Sequence, residues 1–196
     1  MSINVLPAFI RSNYELHEWK HACAILKTDF ETEYNDIVKV LTEFRFKKSS
    51  IAKGGGRKSQ VAGEIDRAFN ELGWREKNFL TKMVVDEEEM ITPTHKVDCY
   101  KNKVALEIEW NNKDPFFDRD LNNFRLLFDL RAISIGVIIT RCDELQEIFD
   151  GIGRGSSFGA STTHMSKLLP RIEGGGGGGC PILVFGIKKS LYLEDE

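Results

Sequence analysis

The sequence has no cysteine pair at metal-ligand or redox spacing. Its four cysteines, Cys23, Cys99, Cys142 and Cys180, are scattered through 196 residues. That excludes a zinc ribbon or a CxxC redox centre and fits the reduced thiols of a cytoplasmic protein. No apolar run approaches the ~20 residues of a membrane span. The opening MSINVLPAFI lacks a basic region ahead of an apolar core and a cleavage site, so neither export nor a membrane partner is expected. Internal repeats are absent. There is no overall excess of positive charge either: the net charge is −3, which gives no general attraction to nucleic acid. What remains, 41% hydrophobic and 29% charged residues, is ordinary for a globular chain long enough for one packed domain.

The charge is unevenly placed. From Arg45 to Ala62 there is no acidic residue, while Arg45, Lys47, Lys48, Lys53, Arg57 and Lys58 are basic and Gly54-Gly55-Gly56 lies among them. A flexible basic loop of this kind can follow a phosphate backbone, or be only a solvated surface loop. It is not a P-loop, because the glycine-lysine-serine half of that motif is missing.

The most informative stretch is Val97 to Trp110, VDCYKNKVALEIEW. Val104, Leu106, Ile108 and Trp110 fall on one face of a strand, and Ala105, Glu107 and Glu109 on the other. Tyr100-Lys101-Asn102-Lys103 reads as a tight turn whose loop is Lys101-Asn102. Asp98 then pairs with Ala105 and shares the face of Glu107 and Glu109, diagonal to Glu107. Three carboxylates together repel, and one tends to keep a proton. A divalent cation reverses that preference. Hard oxygens on a rigid strand suit Mg²⁺, which binds through one or two carboxylates, waters and substrate phosphate, and which acidifies an attacking water. The competing reading is the exposed acidic face of an amphipathic hairpin.

Around this stretch the expected elements are a strand or extended arm over Ile3–Ile10 and a helix over Glu15–Lys27. A second helix follows, capped by Asp29, with Ile37, Val40, Leu41 and Phe44 inward. Helices are also expected over Gln60–Leu72, stopped by Gly73, and from Pro115, capped by Asp114, with Phe117, Leu121, Phe124 and Phe128 on one face. Phe79–Val85 reads as a strand and Asp86–Glu89 as a solvated turn. Ile133–Ile139 and Ile182–Ile187 are nearly continuous apolar runs, as in strands buried on both sides. The Glu107 strand, the following helix and the Ile133 strand form a βαβ unit. A short helix is expected over Asp143–Phe149. Gly151–Thr163 reads as a polar glycine- and serine-rich loop, and Gly174–Gly179 as a loop within one domain.

The stretch VDCYKNKVALEIEWNNKDPFFDRDL with a buried strand after it, GRGSSFGAS, and the closing GGCPILVFGI together resemble the BglII-like type II restriction endonucleases of the PD-(D/E)XK nuclease superfamily. The resemblance implies an α/β fold with a mixed central sheet flanked by helices. As one nuclease domain over 1–196, the chain then divides into a helical part (1–45), a basic loop (46–59), a catalytic core (60–140), recognition and glycine-rich loops (150–180) and a closing strand (181–187). It implies Mg²⁺, one or two per active site, with Asp98 and Glu107 as metal-binding acids and the carbonyl of Ile108 beside them. Glu109 stands where most of the superfamily has Lys and the nearest relatives Gln. Glu occurs there in the BamHI-type enzymes, and unlike Gln it can accept a proton or ligate a second ion. Asn111 and Asn112 match a segment that reaches base edges, and Ser156 and Ser157 a second recognition loop. Lys113, Arg154, Arg57 and Lys58 complete the set expected to touch double-stranded DNA.

These implications describe a homodimer that cuts a short palindrome, in a cell with a cognate DNA methyltransferase. Two other functions use the same fold: a nuclease for structured or damaged DNA, and a DNA-binding protein that has lost its chemistry. An unrelated α/β protein with an acidic hairpin is the remaining reading.

Overall fold

The computed structural model describes residues 2–52 and 59–195. In chain order the N-terminal elements are α1 (Ala8–Asn13), β1 (Tyr14–Trp19), α2 (Ala22–Asp29), α3 (Glu31–Glu43), β2 (Phe46–Lys47), α4 (Lys48–Ala52) and α5 (Gln60–Glu71). The middle holds β3 (Arg75–Lys77), β4 (Leu80–Val85), β5 (Glu88–Pro93), β6 (Val97–Lys101), β7 (Val104–Glu109) and α6 (Pro115–Asp129). The chain then forms β8 (Ile135–Arg141), α7 (Leu145–Gly151), α8 (Met165–Glu173), β9 (Ile182–Ile187) and β10 (Tyr192–Leu193). Six strands make one mixed sheet in the order β1-β9-β8-β7-β6-β3. The centre, β7-β8-β9, is parallel; β1, β6 and β3 join antiparallel at the flanks. The expected βαβ unit is therefore present, with α6 as its crossover.

Strand parity places the core. Val104, Leu106, Ile108, Ile135, Val137, Ile139, Leu183 and Phe185 pack on one side of the sheet with Ile10, Leu26, Leu41 and Phe69 from the N-terminal helices. Ala105, Ile138, Ile182 and Val184 pack on the other with Phe117, Leu121 and Phe124 of α6 and Leu168 of α8. All of β7, β8 and β9 are buried. Helix α6 comes so close that a methyl group at Gly136 would lie 2.3 Å from Phe124 Cδ2, which is why β8 carries a glycine there.

Several expected elements are different. Glu15–Lys27 is not a helix: Tyr14–Trp19 is an edge strand running antiparallel to β9, and α2 starts at Ala22. Pairing with the far end of the chain outweighs the local helical spacing of Trp19, Cys23 and Leu26. Ile3–Ile10 is a 3-10 turn at Ser2–Val5 followed by α1, not a strand. The stripe of α3 is as expected, but Phe30, not Asp29, is its N-cap residue, and it makes no side-chain cap bond. Asp114 is the N-cap residue of α6 as expected, but its side chain makes no cap bond; its carboxylate lies 3.5 Å from Arg171 Nη2 instead. Within the expected basic loop, Phe46–Ala52 forms β2 and α4. Glu88 and Glu89 belong to a strand, β5, that pairs with β4. The 150–180 region contains α8 as well as loops, with Pro170 inside the helix. Helix α5, its stop at Gly73 (φ +89°) and the closing strand stand where the sequence put them.

Candidate active site

The hairpin β6-β7 turns at Asn102-Lys103, both with positive φ (41° and 66°). This is the backbone a tight two-residue hairpin loop with matching strand twist requires. Lys101 pairs with Val104, Tyr100 with Ala105 and Cys99 with Leu106, so the expected Lys101-Asn102 loop is displaced by one residue. The ladder ends there: the Ile108 amide goes to the Asp98 side chain, and the alternation of β6 breaks at Asp98, with Val97 packed in the cluster of Ala105 and Cys99 in that of Leu106. Ala105 faces Tyr100, not Asp98 as expected, and Asp98 meets Glu107 at this break.

The two acids are locked together through the backbone. The Asp98 amide donates to Glu107 Oε2 at 3.2 Å, and the Ile108 amide donates to Asp98 Oδ2 at 3.1 Å. Glu107 is 1% exposed, and its Oε1 is buried with no hydrogen-bond partner. Burial, then the charges of Asp120 and Asp98, raise its pKa well above the ordinary carboxylate range. Glu109 is equally buried. Its Oε2 accepts from Asn112 Nδ2 at 2.7 Å, and its Oε1 lies 3.2 Å from Arg119 Nη2. Burial first, and the neighbouring Asp120 charge second, push Glu109 up to about 9.

Asp120 and Arg119 come from α6 and were not anticipated. Asp120 is fully buried; its Oδ1 accepts from Arg119 Nε at 2.9 Å and Nη2 at 2.8 Å, and its carboxyl shares a hydrogen bond with that of Glu109. Burial raises its pKa, against the pull of Arg119. The signal for Asp120 was in the sequence: it falls between Phe117 and Phe124 on the inward stripe of the helix. A carboxylate there must be paired or functional. Arg119 stacks on Phe116, its guanidinium carbon 4.1 Å from the ring centroid, and so bridges Glu109 and Asp120 from a fixed position.

The other expected residues form a surface beside these acids. Asn111 Nδ2 donates to the Ser157 carbonyl at 3.1 Å. The Asn112 amide donates to Thr163 Oγ1 at 3.2 Å, the Thr163 amide returns to the Asn112 carbonyl at 2.8 Å, and Lys113 bridges to Thr162. Two segments remote in sequence thus form one unit, with Asn112, Lys113, Ser156 and Ser157 exposed on it. Both asparagine amides already hold partners within the protein. Arg154 is half-buried, its Nε without a partner. Arg57 and Lys58 lie outside the described residues.

Among the described residues, no three His, Cys, Asp or Glu side chains are disposed to hold a metal ion by themselves. A divalent ion of the Mg²⁺ type needs no such cage, since it keeps waters and takes one or two carboxylates with substrate oxygens. The donor set fits that requirement, because Glu107 Oε1 is a buried carboxylate oxygen that lacks any donor and calls for positive charge or a proton.

A mixed six-stranded sheet flanked by helices, with a carboxylate-bearing hairpin at its parallel centre, defines a protein of the restriction-endonuclease fold. Residues 14–187 match the family model for restriction endonuclease BglII/BglIII, and the chain belongs to that family. Membership makes it a type II site-specific deoxyribonuclease acting on double-stranded DNA. No match is found among curated proteins. No helix among the described residues is long and apolar enough to cross a membrane.

Proposed function

We propose that the protein is a Mg²⁺-dependent endonuclease that cuts a short palindromic duplex as a homodimer, a cognate methyltransferase protecting the same site. The observation that carries this reading is the Asp98–Glu107 pair, one of whose buried oxygens has no donor. Asp98, Glu107 and the Ile108 carbonyl would hold the ion. A bound dication supplies charge neutralisation at the scissile phosphate and lowers the pKa of an attacking water.

The chain's own residues do the rest. The Asp98 and Ile108 amides fix the two metal-facing carboxylates before substrate arrives, so little reorganisation is left for the reaction. Asn112 and Arg119 aim the two oxygens of Glu109. Glu109 holds a proton in the metal-free protein at neutral pH. It becomes a competent base only when added positive charge offsets its burial, and it then takes the proton of the attacking water. A palindrome cut on both strands needs two such sites related by a two-fold axis, hence the homodimer.

Digestion of a sequenced plasmid with Mg²⁺, followed by end mapping, tests the reading. Discrete fragments with ends at one symmetric sequence are expected. A smear or cuts at junctions would instead indicate a structure-specific nuclease, and tight binding without cleavage in Mg²⁺ or Mn²⁺ a protein that has lost its chemistry.

A further inference from the structure

Arg141 is an unusual residue to find at the end of an otherwise apolar strand. It is the last residue of β8 and is 1% exposed. Among the described residues, the charge that compensates it is that of Asp143, and burial outweighs this compensation. A buried guanidinium is costly and must be held by what surrounds it. Here Nη2 donates to the Phe158 carbonyl at 2.8 Å and to Thr162 Oγ1 at 2.7 Å. Thr162 Oγ1 passes the chain of bonds on to the Gly159 carbonyl at 2.8 Å. The guanidinium carbon lies 5.3 Å from the Phe149 ring centroid and 6.0 Å from that of Phe158, and those rings stack at 3.9 Å. One side chain therefore grips both ends of the turn Phe158–Thr162 from beneath and is fixed by two stacked aromatics.

The turn it grips is one half of the surface beside the active strand. Ser157 accepts from Asn111 Nδ2, Ser161 accepts from the Asp114 amide at 3.0 Å, and Thr162 bridges to Lys113. The segment on the other side of those bonds leaves β7 directly after Glu109, and its Asn112 holds a Glu109 oxygen. A continuous path of hydrogen bonds thus runs from Arg141, through the exposed loop, to the carboxylate beside the Asp98–Glu107 pair.

We propose that Arg141 is a positioning residue for sequence discrimination: it sets the height and register of the Ser156–Ser161 loop against Asn111–Asp114, so that base-pair contacts made there are coupled to the catalytic strand. This role rests on the endonuclease reading above. It differs from a purely structural role in what it controls. A residue that only stabilises the fold changes the fraction of active protein and scales every cleavage rate alike. A residue that aims a recognition loop changes the ratio of rates between right and wrong sequences.

The test uses the full chain and duplex oligonucleotides carrying the site mapped for the wild type, together with each single-base-pair variant of that site. Two substitutions are compared. Arg141→Lys keeps the charge but loses the planar fork, and Thr162→Val keeps the shape but removes the acceptor. Both are expected to lower the cleavage-rate ratio between the mapped site and its variants by about tenfold at one or more base pairs, the lower end of what a good base contact contributes. Thermal unfolding is measured alongside. If Arg141→Lys does not fold, Thr162→Val alone decides. Variants that fold, cut the mapped site and keep the wild-type ratios at every base pair overturn the role while leaving the function intact. A wild-type protein that cuts no duplex overturns the function, and this role with it.

Discussion

Asp98 and Glu107 are bound to one another's strands, not to one another's side chains: the Asp98 amide holds Glu107 Oε2, and the amide following Glu107 holds Asp98 Oδ2. Each acid is thus aimed by the strand that carries the other. The arrangement is costly without a ligand, because Glu107 is buried beside three further acids, Asp120, Asp98 and Glu109. Glu107→Gln keeps an acceptor for the Asp98 amide and removes the buried charge. We expect cleavage to fall by about 10²–10³-fold, the usual loss when a preorganised electrostatic group is removed. Metal-free thermal stability should be unchanged or higher. Single-turnover cleavage of the mapped site and unfolding in chelator measure the two effects. A variant that cuts at the wild-type rate would remove Glu107 from the mechanism.

The shared face of Glu107 and Glu109 could be read from the sequence because a strand repeats every two residues, and every alternate position from Val104 to Trp110 is apolar. The partner of Asp98 could not. Asn102 fits either position of a two-residue loop, and nothing local shows that Lys103 also takes positive φ. Residues 15–19 have the local spacing of a helix, and their strand pairing is invisible locally because the partner lies at the other end of the chain. Helix α8 was missed because Pro170 and the glycine run after it resemble a loop. Asp120 and Arg141 share one property: each is a charge inside or at the end of an apolar pattern, and periodicity marks such a position as buried without saying what holds the charge there.

The pH dependence of the metal-free protein follows from Glu109. Its carboxyl is raised to about 9 in the folded state, chiefly by burial, from an ordinary value near 4.5. Between those values the folded protein holds a proton that the unfolded chain has released. This contribution to stability is complete below the unfolded value and is lost as pH rises toward the folded one. The loss is at most about 1.4 kcal/mol per pH unit for one proton. Denaturant midpoints in chelator should therefore fall from pH 5 to pH 9, and Glu109→Gln should flatten that slope. Parallel curves for the two proteins would place the proton elsewhere.

Gly136 tests the packing that holds α6, and with it Asp120, against the sheet. The strand there is fully buried, and the ring of Phe124 occupies the space a methyl group would need. Gly136→Ala should cost about 1–3 kcal/mol through overpacking, read as a lower denaturant midpoint. Phe124→Leu, which opens space on the facing helix, should recover part of the loss in the double variant, as expected for residues in direct contact. Additive effects of the two substitutions would contradict the contact.

Asn112 is placed between two roles, orienting Glu109 and touching base edges, and substitution can tell which one governs. The resemblance to the endonuclease family assigns it to base edges, whereas in the structure its Nδ2 is committed to Glu109 Oε2 at 2.7 Å. If that bond persists in the complex, Asn112→Ala frees Glu109 on one side and leaves Arg119 as its partner on the other. The expected result is a fall in the cleavage rate of about 10–100-fold, typical of losing a residue that orients an active-site ligand, with the mapped recognition site unchanged. Asn112→Asp should be worse, because it places an acceptor against an acceptor and adds a charge to an acidic cluster. Comparing cleavage rates with binding to single-base-pair variants decides the matter. A reader of bases shows altered site preference with a modest rate effect, whereas an orienting residue shows the reverse, and the short bond to Glu109 favours the second.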